Sequence, residues 1–460
     1  MSVVTPLTPS KGRNAELLLI VFAVVIVAVA YADVGMAVQG AVPPSLVTYS
    51  LGFLAIAIAF NLVLRWRAPY ADPTLLPIAT LLNGLGLVMI YRLDLANGRT
   101  FSDGFAFHQL LWSALAAAIA AGVLVVLRDH RLLRRYTYTA AAVGFGLLLL
   151  PLIPVLGQQI NGSQIWIHVG GFSFQPSEIA KIILAVFFAG YLVQTRDALS
   201  VAGRKILGMT LPRARDLGPI LVAWGLSLGV LVFEKDLGTS LLFFGLFVAM
   251  LYVATERVSW LAIGLVLFSA GAYAAYLLFG HVQERVLLWL HTFTPEALKA
   301  SSQLADGLMG MAAGGLLGTG LGQGRPYLTP FAESDFIFPS FGEELGMVGL
   351  FALLALYALL VERGLRTSVG TRDGFGKLLA AGLAFSVALQ VFVVVGGVTR
   401  VIPLTGLTMP FLSAGGSSLL ANWTLVAILL RISDHARRPV PEAGPANPTG
   451  DAKTEVVRLR

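Results

Sequence analysis

Two charged residues lie inside a long apolar stretch, where an ionisable side chain is unfavourable and therefore indicates a function. The stretch is F-Q-P-S-E-I-A-K, at residues 174–181, in which Pro176 suits the first position of a helix. Glu178 and Lys181 are three positions apart, so they share one face of that helix. The spacing fits both a structural ion pair that neutralises itself and a pair that binds a substrate.

More acids precede apolar stretches elsewhere in the chain. Asp236, in F-E-K-D-L-G-T at 233–239, is placed to cap the N-terminus of a helix, a role that does not exclude contact with a substrate. Asp335 and Glu343, in E-S-D-F-I-F-P-S-F-G-E-E-L-G at 333–346, stand with two further glutamates in a short acidic segment. Carboxylates stabilise a helix N-terminus, but this cluster holds more acids than capping requires.

The last candidate segment is T-R-V-I-P-L-T-G-L-T-M-P-F-L-S-A-G-G-S-S, at residues 399–418. Its prolines and glycines interrupt an apolar stretch, and irregular backbone at membrane depth occurs where it is buried in protein or lines a cavity. A packing kink is the alternative interpretation. The segment offers one cation and several hydroxyl groups, of which we single out Arg400, Thr405, Ser417 and Ser418.

The elements that must position these residues are membrane-spanning helices. Of 460 residues, 57% are hydrophobic and 12% are charged, against roughly a quarter charged in soluble domains. The apolar stretches approach the roughly 20 residues that cross a bilayer as helix, and they lack the alternation of a transmembrane barrel. We therefore expect an all-α polytopic membrane protein with about 12 transmembrane helices. The predicted spans are 17–36, 46–64, 74–91, 108–127, 138–155, 177–194, 217–233, 237–254, 259–280, 341–361, 378–398 and 406–430.

The distribution of basic residues orients these spans, because cytoplasmic loops accumulate Lys and Arg. An even number of spans puts both termini on one side of the membrane. With the termini inside, the inner loops and tails hold 24 of the 32 basic residues, and the outer loops hold 7. We therefore predict cytoplasmic N- and C-termini. The basic residues then meet anionic membrane lipids at the inner surface, so the pI near 9.7 does not call for nucleic acid.

Residues 15–436 are predicted to form one membrane domain between two disordered cytoplasmic tails, 1–14 and 437–460, which are rich in Pro, Thr, Ala and charge. A large extracellular loop, about 280–340, precedes the tenth span, and long loops in compact proteins are usually functional or disordered. Its apolar stretches predict short helices at the membrane surface. Its run of glycines, at 314–324, allows the backbone to approach a ligand or another helix closely.

Several reaction classes have no motif in this sequence. It contains no P-loop, dinucleotide-binding fingerprint, zinc-protease motif or nucleophile elbow. It also contains no cysteine, which excludes thiolate chemistry and thiolate metal sites. Carboxylates, a lysine and hydroxyl groups remain, and a divalent cation, Mg or Mn, held by acids is a further hypothesis.

These segments resemble the SEDS family, the shape, elongation, division and sporulation glycosyltransferases, and within it the RodA-like proteins of actinobacteria more than the FtsW branch. Matching stretches are N-G-L-G at 83–86 and N-G-S-Q-I-W-I at 161–167. In order, they continue within the four segments quoted above, at 174–181, 234–239, 334–337 with 342–346, and 403–418. The resemblance covers roughly residues 74–436. Shorter family members have fewer spans, so the first two spans here resemble the extra N-terminal pair of actinobacterial members.

The resemblance implies a peptidoglycan glycosyltransferase of the bacterial plasma membrane that serves cell-wall elongation and cell shape. The implied substrate is lipid II, an undecaprenyl-diphosphate-linked disaccharide peptide, which the family joins into chains at the outer leaflet. The implied partner is a class B penicillin-binding protein. The acids singled out above lie at predicted outer ends of spans, which agrees with that side of the membrane.

One family segment is altered in this chain. The family's presumed catalytic aspartate lies in the large outer loop, in the pattern D-P-x-G-x-G-Y-Q before the glycine run. Here the equivalent stretch is T-P-E-A-L-K-A-S-S-Q, at 294–303, which has no aspartate. Counting back from the glycines places Glu296 nearest that position, so Glu296 is the predicted general base. Asp306 is the alternative carboxylate.

The predicted reaction is attack by the 4-hydroxyl of one lipid II on the anomeric carbon of the growing chain, with lipid diphosphate as the leaving group. A loop carboxylate would take the proton, which typically accelerates a reaction by about 10²- to 10⁴-fold. Lys181, Arg400 or a divalent cation would offset the diphosphate charge. A catalytically silent scaffold for the penicillin-binding protein and a lipid II flippase are the alternatives. A flippase needs polar residues through both leaflets, whereas the inner halves of these spans are almost uniformly apolar.

Overall fold

The computed structural model describes residues 12–100, 103–160, 163–169, 172–199, 205–206, 209–210, 213 and 217–439. Its helices are, in chain order, α1 (Arg13–Gln39), α2 (Leu46–Arg67), α3 (Leu75–Ala96), α4 (Phe105–Val126), α5 (Thr137–Leu149), α6 (Pro176–Leu199), α7 (Gly218–Phe233), α8 (Leu237–Thr255), α9 (Val258–Leu278), α10 (Gly280–Leu290), α11 (Pro295–Ala300), α12 (Gln303–Gly314), α13 (Ile337–Gly370), α14 (Gly374–Val398) and α15 (Gly416–Arg437). The expectation of an all-α polytopic membrane protein is confirmed.

Ten helices of the described chain are long and apolar enough to cross a membrane: α1 to α4, α6, α8, α9 and α13 to α15. The predicted fifth and seventh spans correspond to α5 and α7, which have 13 and 16 residues and are shorter than a full crossing. Each packs against the next helix in the chain, α6 or α8. The predicted tails fall for the most part outside the described residues, and α1 already begins at Arg13.

The centre of the bundle is formed by four helices. Within their spanning windows, α3 and α15 bury 83% of the residues, and α6 and α14 bury 72%. At the other extreme, α9 buries 17% and presents most of its apolar side chains outward, as a helix that faces lipid does. Charged and polar residues on the central helices therefore face protein and not the bilayer.

The segment 399–415 enters the bundle without forming a helix. The prediction that its backbone is irregular is confirmed, whereas the predicted start of the last span, at 406, is wrong, because α15 begins at Gly416. Positive φ angles at Arg400, Gly406 and Phe411, of 62°, 75° and 66°, are incompatible with a continuing right-handed helix. The chain therefore turns back on itself before α15 starts.

The large outer loop contains α10, α11 and α12 and then packs its glycines against the beginning of α13. Backbone hydrogen bonds join residues 315–320 to residues 343–348 across a break in α13 at Gly346, where φ is 66°. At Gly314 a Cβ would lie 2.1 Å from the carbonyl oxygen of Gly342. Only glycine fits at that position, which confirms the predicted close approach of backbone.

The connection between α5 and α6, which lies between the predicted fifth and sixth spans, forms three short antiparallel strands that were not predicted. They are β1 (Gly157–Ile160), β2 (Ser163–Val169) and β3 (Phe172–Phe174), in the order β1-β2-β3. The backbone N–H of Gln164 donates to the carbonyl of Glu234 over 3.1 Å, which attaches this sheet to the turn between α7 and α8. A second pair of strands, β4 (Lys205–Ile206) and β5 (Met209–Thr210), follows α6.

Candidate functional site

The buried cation near the outer end of α6 has two partners. Lys181 is 1% exposed, and its Nζ donates to Oε2 of Glu178 over 2.8 Å, as the three-residue spacing predicts. It also donates to Oε1 of Gln390, on α14, over 2.7 Å. The amide nitrogen of Gln390 in turn donates to the carbonyl of Thr408 over 2.9 Å. The ion pair is thus tied to the segment 399–415 through a neutral amide.

Hydroxyl groups extend this network to α15. The Thr408 hydroxyl lies 3.3 Å from Oε1 of Glu178 and 3.0 Å from the hydroxyl of Ser418. The neighbouring Ser417 hydroxyl accepts a hydrogen bond of 3.0 Å from the backbone N–H of Gln175. Ser417 and Ser418 are buried and Thr408 is half-buried, and these groups bind protein partners, which favours the structural interpretation of the pair over direct contact with a substrate.

A second group of acids holds the glycine loop. Glu344 is fully buried and accepts from Nε of Arg92 over 2.9 Å and from the backbone N–H of Gly322 over 2.9 Å. Glu343 accepts from the backbone N–H of Arg325 over 2.5 Å. Both acids lie at the outer end of α13, where the sequence placed them. Both oxygens of Glu344 and Oε1 of Glu343 are occupied by the protein itself, so these acids position the loop.

A third group of charges surrounds the start of α8. Asp236 caps this helix by accepting from the backbone N–H of Thr239 over 2.9 Å, which confirms the predicted cap. Asp335 is half-buried and interacts electrostatically with Asp236, Glu333 and Arg285. Burial raises the pKa of Asp335 to about 6, an effect that Arg285 opposes and the two neighbouring acids reinforce. This carboxylate therefore has a basicity suited to proton transfer near neutral pH.

The helix α10 is docked on the segment 399–415 by four hydrogen bonds, one of which runs from Nη2 of Arg400 to the carbonyl of Leu290 over 3.2 Å. Arg285 donates from Nη1 to the carbonyl of Leu404 over 2.6 Å. Trp289 donates to the carbonyl of Arg400 over 2.9 Å, and Nε of Arg400 donates back to the carbonyl of Trp289 over 3.0 Å. The Arg400 guanidinium therefore binds α10, and Arg285 is the cation on the side of Asp335.

Beside this docked helix lies a cavity of about 410 Å³, enclosed by α7, α8, α9, α10 and the segment 399–415. Its lining is almost wholly apolar and includes Trp224, Leu228 and Phe268. Arg285 and the buried Thr405 are among its few polar groups. An apolar cavity of this size with few polar groups has the general form of a small-molecule site, and its single arginine suits an anionic amphiphile.

The two predicted loop carboxylates are unengaged. Glu296 is exposed in the first turn of α11, whose N-terminus is capped by the Thr294 hydroxyl. Asp306 is half-buried in the first turn of α12. Within the part of the chain that the structure describes, neither carboxylate makes a hydrogen bond or an ion pair. The structure therefore leaves both free and does not join either of them to Arg285.

Sequence reasoning missed three groups at this site. Gln390 stands alone as an amide in the apolar α14, and that isolation was the available signal. Arg285 is one of the seven basic residues of the predicted outer loops, and no local pattern marks it. Glu234, two residues before the predicted cap, was not singled out, yet it is 2% exposed and its Oε2 has no hydrogen-bond partner among the described residues. Burial, and then the neighbouring Asp236, raise the pKa of Glu234 to about 9, so it is protonated at neutral pH.

Comparison with known proteins gives a consistent result. The family model FTSW_RODA_SPOVE, described as cell cycle protein, matches residues 73–438. The peptidoglycan glycosyltransferase RodA of Mycobacterium tuberculosis is 51% identical over 460 aligned residues, which cover 99% of this chain and 97% of that protein. Stage V sporulation protein E of Bacillus subtilis is 33% identical and covers 80% of this chain and 98% of its own length. The mycobacterial match therefore includes α1 and α2.

Solved structures share the fold. A chain from a peptidoglycan synthase complex, described as coordinating polymerization and crosslinking, has a TM-score of 0.54 at 25% identity, over 85% of this chain and 97% of that chain. The crystal structure of the Thermus thermophilus rod shape determining protein RodA also has a TM-score of 0.54 at 25% identity. It covers 79% of this chain and 96% of its own.

Proposed function

Because this chain belongs to the FtsW/RodA/SpoVE family, we propose that it is a peptidoglycan glycosyltransferase that polymerises lipid II at the outer leaflet during cell-wall elongation. It is a multi-pass protein of the bacterial plasma membrane. The observation that carries the proposal is the apolar cavity that shares Arg285 with the carboxylate cluster around Asp335. A lipid-linked sugar diphosphate has the same two parts, an apolar chain and a charged head.

The cavity and the arginine divide the recognition of this substrate between them. The undecaprenyl chain occupies the apolar cavity between α7 and α10, which is also lined by the lipid-exposed α9. The diphosphate lies against Arg285, since a guanidinium binds phosphate oxygens through paired N–H groups. The bond from Arg285 to the carbonyl of Leu404 fixes the side chain before the substrate arrives.

Glu296 is the general base of this proposal. Its carboxylate takes the proton of the 4-hydroxyl of one lipid II as that oxygen attacks the anomeric carbon of the growing chain, and the lipid diphosphate leaves. Glu296 is exposed and unengaged, and α11 follows directly after the docked α10. Asp335 is the competing base, since its pKa of about 6 leaves it mostly ionised at neutral pH.

A divalent cation, Mg or Mn, would add positive charge where the diphosphate leaves. Such ions prefer carboxylate oxygens, and the cluster contains three acids. Both oxygens of Asp236 already accept from Thr239. Asp335 and Glu333 would therefore hold the ion. Their oxygen donors suit either metal.

A class B penicillin-binding protein is the proposed partner, and the similarity to a chain from a synthase complex supports that assignment. A silent scaffold for the same partner is the second candidate, because the outer loop lacks the family's aspartate at 294–303. These two functions differ in a single measurable property, which is whether the purified chain extends glycan strands.

The test uses the full-length protein with its partner and labelled lipid II, and it measures the lengths of the glycan chains produced. We expect the parental protein to make long chains and Arg285→Ala to lose most of its turnover, whereas Arg285→Lys, which keeps the charge, retains part of it. Arg325→Ala, in the same loop but outside the cavity, is the matched control and should behave as the parent. Parental protein that makes no polymer would establish the scaffold, and an active Arg285→Ala protein would place the diphosphate elsewhere.

A further inference from the structure

Four side chains meet at the predicted cytoplasmic face, far along the helices from the outer site. Asp129 and His130 lie in the connection between α4 and α5, Asp373 precedes α14, and His435 lies in the last turn of α15. The ligand atoms of Asp129, His130 and His435 lie within 4.8 Å of one another. The reaction proposed above uses none of these residues.

His130 is oriented by Asp373. Nε2 of His130 lies 2.9 Å from Oδ2 of Asp373, whose other oxygen accepts from the backbone N–H of Gly376 over 2.7 Å. A Cβ at Gly376 would lie 2.4 Å from this Nε2, so glycine is required for the approach. An aspartate is ionised at neutral pH and can only accept hydrogen bonds. The proton of a neutral His130 therefore resides on Nε2.

That tautomer leaves Nδ1 of His130 with a lone pair and no partner. His130 is completely buried, and its Nδ1 has no hydrogen-bond partner among the described residues. The nearest carboxylate oxygen, Oδ1 of Asp129, lies 3.7 Å away and is itself an acceptor. A lone pair that faces a carboxylate oxygen in a buried site is stabilised when a positive charge lies between them.

The residues around this gap supply a zinc ligand set. The ring of His435 lies 5.2 Å from that of His130, at an angle of 75°. Two histidines and one carboxylate are common zinc ligands, and a second carboxylate behind one histidine is typical of such sites. Bonds of about 2.0–2.2 Å place ligand atoms roughly 3.3 Å apart around zinc. Asp129 and His435 are both half-buried, so their side chains have room to close that difference.

The positive charge of Arg131, close to the space between His130 and Asp129, has a carboxylate partner. The Arg131 guanidinium lies 3.5 Å from Oδ2 of Asp373, which neutralises it. Asp129, whose Oδ1 also accepts from the backbone N–H of Arg131 over 2.9 Å, is the second carboxylate facing the histidines. We propose that Asp129, His130 and His435 bind Zn²⁺ and that Asp373 orients His130. The ion then fixes the end of α15 to the connection between α4 and α5.

The test titrates the full-length protein, purified without a polyhistidine tag and stripped of metal, with Zn²⁺ in competition with a chromophoric chelator. We expect one Zn²⁺ per chain and a higher thermal unfolding temperature when Zn²⁺ is bound. His435→Ala should weaken binding by about tenfold or more, and Asp129→Ala should act in the same direction. His291→Ala, an exposed histidine of the outer loop, is the matched control and should bind as the parent does.

Two results would overturn the site. One is parental protein that binds no Zn²⁺, with His130 doubly protonated between the two aspartates as seen by nitrogen chemical shifts. The other is a His435→Ala protein that folds and binds Zn²⁺ with parental affinity. The His435 variant alters a half-buried residue at a helix end, so its fold is checked by its unfolding transition in the absence of metal.

Discussion

Two groups of acids lie at the outer end of this molecule and differ in what occupies their oxygens. Glu343 and Glu344 are buried and accept hydrogen bonds from the glycine loop and from Arg92. Glu296 and Asp335 are exposed or half-buried, and Glu296 has no partner in the described chain. The same residue types in the same loop region therefore serve two purposes. Acids whose oxygens accept hydrogen bonds from the protein hold the backbone in place. Acids whose oxygens are unpaired remain available for chemistry.

The largest expected effect is a loss of stability when one of the hydrogen-bonded acids, Glu343 and Glu344, is replaced. Glu344→Ala leaves Arg92 buried without its carboxylate partner, and breaking a buried pair on one side costs about 3–5 kcal/mol. Activity should fall only in proportion to the folded fraction. Denaturant or thermal unfolding measures the loss, and Glu296→Ala is the control, since an exposed residue without contacts changes stability by about 0.5 kcal/mol or less. Equal stability of the two variants would remove the distinction between the groups.

The next effect is a loss of turnover when one of the acids available for chemistry, Glu296 and Asp335, is replaced. Glu296→Gln keeps the size of the side chain but removes its basicity, so we expect a fall in glycan polymerisation of about a hundredfold or more with unchanged unfolding. Polymer yield per unit time from labelled lipid II is the measurement, and Asp306→Asn, which removes the alternative carboxylate, is measured beside it. A Glu296→Gln protein at the parental rate would assign the base to another acid, and Asp335→Asn would then be the variant to measure.

A smaller effect tests whether Glu178 and Lys181, like Glu343 and Glu344, serve to stabilise the structure. Glu178→Gln and Lys181→Met each leave one charge of the pair, and the double variant leaves none. We expect the two single losses of stability to exceed the double loss when summed, with a coupling energy of about 0.5–3 kcal/mol. Unfolding free energies of the parent and the three variants give this value. Independent effects would show that the pair is not an energetic unit.

The smallest effect is the pH dependence contributed by Asp335. Its pKa of about 6 lies above the usual value near 3.9 of an unfolded chain, so the folded state binds this proton more tightly. The contribution to stability is therefore complete below about pH 4 and is lost as the pH rises through about 6. Asp335→Asn should flatten the unfolding temperature across this window. An unchanged slope would show that this acid is solvated like an ordinary one.

Sequence reasoning succeeded where a local rule places the residues. The pairing of Glu178 with Lys181 and the cap at Asp236 each follow from helix geometry over three positions. The irregular segment 399–415 followed from its prolines and glycines. The central helices α3, α6, α14 and α15 likewise follow from the length of their apolar stretches, whereas the orientation inferred from the basic residues stays a prediction.

Sequence reasoning could not predict contacts between residues that are distant in the chain. Gln390 reaches Lys181 across 209 positions, and Arg285 reaches Leu404 across 119, so neither contact has a local signal. The strands at 157–174 are short and lie in a stretch that composition marks only as a loop. The choice between Glu296 and Asp335 as base depends on a substrate position that the sequence does not encode.

The position of Lys181 within a single helix has a consequence for biogenesis. Its carboxylate partner, Glu178, emerges from the ribosome only three residues earlier, whereas Gln390 emerges 209 residues later. A lone charge at membrane depth opposes insertion of a nascent helix. Because both charges travel on α6, the helix enters the bilayer already neutralised and does not wait for α14 to be synthesised.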